Sequence, residues 1–206
     1  MKKLIKMALI LAVLSLSTLY ADTVGVKYLG SNGVVYNNYW AGPVSLSING
    51  DLFSALCFDF EHTIHINDSW NAYVVDMSEL SIFTLAYHYG ESNWLDRYER
   101  IAWLGSQITS SNQSQWGPIQ WAMWSQLSNV TINSATQVWI TAANVAHTTG
   151  LPYGDWTFLF PVNEGCNTKQ AFMFNGEVPE PNSIIFLSSG IMLLLIGSIK
   201  RKMITQ

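Results

Sequence analysis

Two apolar runs, one near each end of the chain, decide how much of it can build a water-soluble core. Met7–Leu19 follows Lys2, Lys3 and Lys6, and Ser183–Ile199 is followed at once by Lys200, Arg201 and Lys202. The first run is too short for a comfortable membrane span. With its basic front and the Leu19-Tyr20-Ala21 end it reads as a signal peptide over residues 1–21. The second run, 17 residues long, is at the short end of what crosses a bilayer. Its trailing basic cluster predicts that the C-terminus stays cytoplasmic and that the preceding residues face outward. One domain, residues 22–177, is left to fold. Within 22–182 four basic residues (Lys27, Arg97, Arg100, Lys169) face fourteen acids, a net of −10. Such a surface repels phosphate backbones, so nucleic acid is excluded as a partner. A charged fraction of 12% with nine Trp, nine Tyr and nine Phe excludes a disordered chain and supplies a core.

The first half of this domain has the period of strands. Thr23–Leu29 and Val34–Tyr36 flank the turn signal Ser31-Asn32-Gly33. Val44–Ile48 alternates cleanly into Asn49-Gly50, a type I′ hairpin signal, and Leu52–Phe60 returns as its partner. Thr63–Ile66 and Asn71–Val75 read as further short strands, with Trp70 anchoring the sheet. The middle changes to helical period. Trp94, Leu95, Tyr98, Ile101, Ala102 and Ile108 make one stripe. Gly117-Pro118 opens a helix to Leu127, and a third helix runs from Ser134, capped by Ser134 and Gln137, to His147 before Gly150. Trp156–Phe160 and Ala171–Phe174 are strands again. Met77–Gly90 fits helix or strand equally. The expectation is an α+β fold: a single β-rich domain with helices inserted between strands, flanked by the signal peptide and the C-terminal transmembrane helix 183–199.

Candidate chemistry centres on Cys57. In an exported chain two cysteines predict a disulfide by default, here Cys57–Cys166. A second fate pairs Cys57, in Ala55-Leu56-Cys57-Phe58-Asp59-Phe60, with Gln120, in Pro118-Ile119-Gln120-Trp121-Ala122-Met123-Trp124. A thiolate can attack the Gln carboxamide carbon and expel ammonia, leaving an internal thioester. Phe58, Trp121 and Trp124 would keep the site dry, Asp59 would orient or polarise it, and the helix N-terminus would offer N–H donors to the carbonyl oxygen. A third fate is a buried, inert thiol. His62 and His65 fall on opposite faces of the expected strand, which separates them as partners for Cys57. With Asp59, Glu61 and Asp68 they match no zinc or calcium spacing. His88 and His147 stand alone. No phosphate loop or serine elbow is present, and neither metal nor cofactor is expected.

Two resemblances sharpen this reading. Val178-Pro179-Glu180-Pro181, the apolar run and Lys200-Arg201-Lys202 together resemble the PEP-CTERM sorting signal of Gram-negative bacteria that build a polysaccharide matrix. The resemblance covers 178–203. It implies recognition by exosortase, a transient inner-membrane anchor, and delivery to the cell surface or extracellular matrix. The Cys57 strand and the Gln120 helix resemble the thioester domains of bacterial surface adhesins. Many PEP-CTERM proteins also look like this chain in Gly42-Pro43, Asn49-Gly50, Cys57–Phe60, Ser69-Trp70-Asn71-Ala72, Ala102-Trp103-Leu104, Gln120–Trp124 and Gln170-Ala171-Phe172; Cys166 lies outside that pattern. The resemblance implies a protein that acylates an amine or hydroxyl of a matrix polysaccharide or protein once, without turnover, and so is not an enzyme. The alternative is a non-reactive structural or binding matrix protein held by the disulfide.

Replacing Pro179–Pro181 is expected to leave the protein in the inner membrane of its host, read by fractionation. Unchanged release would contradict the sorting assignment.

Overall fold

The computed structural model describes residues 23–80, 93–150, 152–162, 169–176 and 178. The signal-peptide region, the terminal apolar run, Cys166, His88 and residues 81–90 of the ambiguous segment lie outside them. Among the described residues no helix is long and apolar enough to cross a membrane.

The chain is β-rich α+β. Its strands are β1 (Thr23–Ser31), β2 (Val34–Tyr36), β3 (Tyr39–Ala41), β4 (Val44–Ile48), β5 (Asp51–Cys57), β6 (Ser69–Asp76), β7 (Trp156–Pro161) and β8 (Phe172–Asn175). Among the described residues the longer helices are α1 (Trp94–Ser106), α2 (Trp116–Trp124) and α3 (Ser134–Thr149), with a 3₁₀ turn at Ser110–Gln115. Six strands close into a barrel in the order β1-β4-β5-β8-β7-β6, every pair antiparallel. β2 and β3 form a separate hairpin. Closure leaves the barrel no free edge to pair with another chain.

Strand alternation sorts the apolar side chains into two cores. Val24 and Val26, Leu46 and Ile48, Ala55 and Cys57, Ala72, Leu159, and Phe172 and Phe174 come from all six strands and pack together, which places them inside the barrel. Their neighbours Leu56, Val75, Phe158, Phe160 and Met173 point outward from β5, β6, β7 and β8. The helices cover them with Tyr98, Ile101, Leu104, Ile119 and Met123. β7 is therefore buried along its whole length. Phe58, Tyr98, Phe158 and Phe160 form an edge-to-face cluster at the centre of the second core, with ring centroids 5.5–5.8 Å apart where Phe58 or Tyr98 meets Phe158 or Phe160.

Local signals explain the joints. Asn49 (φ 51°) and Gly50 (φ 101°) make the β4–β5 turn, and the Asn49 side chain accepts the Gly25 N–H at 3.1 Å. Gly150 ends α3 in the left-handed conformation. Four expectations change. α3 is capped by Asn133, whose side chain accepts the Thr136 N–H at 2.9 Å, rather than by Ser134 and Gln137. α2 starts two residues before Pro118 and stops at Trp124. β5 ends at Cys57, and residues 58–68 form a loop where the strand Thr63–Ile66 was expected. β3 was not expected; Asn37 (φ 49°) and Asn38 (φ 67°) provide its tight turn from β2.

Phe158→Ala should lower stability by about 3–5 kcal/mol, because it empties the aromatic centre of the second core. Val138→Ala, on the exposed face of α3, should change it by less than about 0.5 kcal/mol. Urea unfolding of the two variants checks both values.

Candidate functional site

The site lies where α2 meets the rim of the barrel. α2 is short and apolar all round, and every one of its residues is buried. Such a helix has to be enclosed on all sides, and α1, α3 and the β2–β3 hairpin enclose it. Gln120 is its one long polar side chain, only 1% exposed. A buried carboxamide needs partners for both ends. Its Nε2 donates to the Cys57 carbonyl, and its Oε1 accepts the Gly42 N–H at 3.2 Å. The helix residue is thus fastened to the end of β5 and to the residue that follows β3.

Cys57, the last residue of β5, is a free thiol among the described residues and 7% exposed. It donates to the Asp59 carbonyl at 3.0 Å. Burial pushes its pKa far up, and the nearby Asp59 carboxylate adds to the shift. The Asp59 main chain and the Trp124 indole oppose it. The Trp124 Nε1–H is buried and has no acceptor in good geometry. At neutral pH the group is therefore a thiol, and a donor stands beside the sulfur ready to meet negative charge.

An aromatic cover lies over the outer side of α2. Trp121 and Trp124 meet at 5.1 Å between ring centroids. Phe60 packs on them at 5.7 and 5.1 Å, and Tyr39 of the hairpin closes on Phe60 at 5.0 Å. Tyr36 adds an edge contact to Trp121. Trp121 and Trp124, expected to keep the site dry, are both buried, whereas Phe58 is not part of their cluster. Phe58 turns into the core beneath the helices, and Phe60 stands in its place.

Asp59 does more than the sequence suggested. Its carboxylate accepts the Glu61 N–H at 2.9 Å and lies 2.6 Å from His62 Nδ1. The expected opposition of His62 and His65 across a strand fails because this segment is a loop. His65 pairs instead with Asp68 at 3.9 Å, and Lys169 pairs with the same carboxylate at 2.8 Å. His147, which stands alone in the sequence, lies 3.2 Å from Glu99 and 3.9 Å from Asp96 in the structure. Of the terminal motif only Val178 is described, packed against the barrel interior.

The N-terminus of α2 was the expected source of an N–H donor. The structure supplies one from Gly42, because Gln120 sits beyond the first turn of the helix. In the sequence Gly42 figures only as part of the Gly42-Pro43 motif of the resemblance, and nothing in that pair reveals what its N–H touches. A side chain there is obstructed: φ is +99°, and a Cβ would lie 2.5 Å from the Trp116 ring. Gly50 has nearly the same φ, +101°, with nothing within 4 Å.

Gly42→Ala and Gly50→Ala therefore share the backbone strain of about 1–3 kcal/mol, and only the former adds a collision. Gly42→Ala should be the less stable of the two by urea unfolding. Equal losses would mean that Trp116 yields freely.

No protein-family model and no curated protein matches the chain. A solved structure similar to it is the N-terminal thioester domain of protein F2 like fibronectin-binding protein from Streptococcus pneumoniae. The similarity has a TM-score of 0.43 at 16% sequence identity, covering 73% of this chain and 92% of that one.

Proposed function

We propose that Cys57 and Gln120 condense into an internal thioester and that the protein uses it to attach covalently to an extracellular partner. The observation that carries this reading is the buried Gln120 carboxamide, held between the Cys57 carbonyl and the Gly42 N–H. Glutamine at this position bridges two main-chain groups, and one of them belongs to Cys57, the residue that carries the thiol.

The chemistry balances without a cofactor. The thiol loses its proton as sulfur attacks the carboxamide carbon. The Gly42 N–H donates to the oxygen as it gains charge, in the manner of an oxyanion hole. The C–N bond breaks and nitrogen departs as ammonia with the thiol's proton. The acyl group stays on sulfur beneath Tyr39, Phe60, Trp121 and Trp124, where water is scarce. An amine or hydroxyl of the partner then takes the acyl group and Cys57 returns as a thiol. One event consumes the site, so the protein acts as an adhesin and not as a turnover catalyst. The sorting motif at 178–203 would place it in the matrix through exosortase, by way of the inner membrane.

The second reading, a matrix protein braced by Cys57–Cys166, is separated by intact mass under non-reducing conditions. A thioester lowers the mass by one ammonia, a disulfide by two hydrogens. Methylamine should add to Gln120 and release the Cys57 thiol. Cys57→Ala and Gln120→Ala should each abolish both effects. A mass deficit of two hydrogens, or none, would overturn the thioester.

A further inference from the structure

The loop after β5 contains a carboxylate–imidazole pair, Asp59 and His62, that thioester formation does not use. The Cys57 thiol donates to the Asp59 carbonyl at 3.0 Å. Gln170 Nε2, from just before β8, donates to the same oxygen at 3.3 Å. The Asp59 carboxylate takes the Glu61 N–H on one oxygen and His62 Nδ1 on the other. Asp59 is 16% exposed and His62 37%, so the pair runs from the wall of the thiol site to solvent. A carboxylate that accepts from Nδ1–H leaves the lone pair on Nε2. Among the described residues nothing bonds to that Nε2.

Resting on the thioester reading, we propose that His62, positioned by Asp59, carries the proton in the acyl-transfer step, and that the acceptor it selects is a carbohydrate hydroxyl. A neutral alcohol attacks poorly unless its proton leaves as the new bond forms. Nε2 takes that proton while oxygen bonds to the Gln120 carbonyl carbon. The C–S bond then breaks, and sulfur departs into a buried site beside a carboxylate, where a bare thiolate is disfavoured. The imidazolium gives its proton to the sulfur. The balance is alcohol plus thioester to ester plus thiol, with His62 restored. A primary amine needs no such relay, because once attached it is an ammonium and can supply the sulfur's proton itself.

The aromatic hairpin supports carbohydrate as the source of the hydroxyl. Trp40 and Tyr39 are 58% and 48% exposed, and Tyr39 packs on Trp121 and Trp124 at the site. Exposed Trp and Tyr rings with polar tips offer flat apolar faces of the kind on which sugar rings stack. The domain's net negative charge also suits a neutral, hydroxyl-rich chain.

The test uses the purified full-length chain, first checked for its ammonia deficit and for methylamine uptake. Maltose, N-acetylserinamide and methylamine are then offered separately, and the adduct on Gln120 is followed by peptide mass spectrometry. Ester formation with maltose and loss of the thioester to water should fall by about 10²-fold or more in His62→Gln, while its methylamine uptake stays within about threefold. Because His62 is at the surface, His62→Gln is expected to keep the fold. Equal losses of ester and amide in His62→Gln would mark a structural role and overturn the relay, as would ester formation at the wild-type rate. Faster esterification of N-acetylserinamide than of maltose would overturn the carbohydrate assignment. A chain with neither ammonia deficit nor methylamine uptake would overturn the thioester, and the relay with it.

Discussion

The Gln120 carboxamide is the join on which the rest of the structure depends. α2 is apolar on every side, and beside the indole hydrogen bonds of Trp116 to Thr109 and Trp121 to Thr131 the Gln120 carboxamide gives it two polar tethers. One reaches the end of β5 and the other the end of the β2–β3 hairpin. Removing the carboxamide leaves a buried N–H and a buried C=O without partners, each worth about 1–3 kcal/mol. The same two bonds orient the amide plane, so anchoring the helix and presenting the electrophile are one arrangement.

Around that join the barrel and the helices share strands. β5, β7 and β8 give one face to the barrel interior and the other to the helical layer. Cys57 belongs to the interior set and Leu56 to the outer one. The thiol is thus held by a strand packed on both sides, and its position is set by barrel closure. The aromatic cover is built differently, from a short hairpin and a loop, and its tip carries exposed rings. On the thioester proposal, a thiol held rigidly under a peripheral cover is a suitable layout for an acyl group that has to wait for its partner.

Several elements could be read directly from residue order. Val44–Ile48 alternates, Asn49-Gly50 turns, the Trp94–Ile101 stripe repeats at helical spacing, and Gly150 terminates. What could not be read were contacts between distant segments. Period-two alternation says that β1 is a strand but not that it lies between β4 and β6. The Phe58 and Phe60 exchange has a local cause. A strand continued to Phe60 would put both rings on one face. The chain turns at Asp59 instead, because that carboxylate bonds the Glu61 N–H and His62, and the rings part. The same turn brings His62 to Asp59, a pairing that strand periodicity does not reveal. Cys57 and Gln120 were legible as residue types in apolar company, whereas Gly42 as the carboxamide's N–H partner was visible only in three dimensions.

Peptide mapping under non-reducing conditions at mildly acidic pH is the direct test of a covalent link between Cys57 and Gln120. One cross-linked species should join the peptide that carries Cys57 to the peptide that carries Gln120. Its mass should be the sum of the two less one ammonia, and hydroxylamine should dissolve it. Separate peptides with Cys57 open to alkylation, or Cys57 joined to the peptide of Cys166, would contradict it.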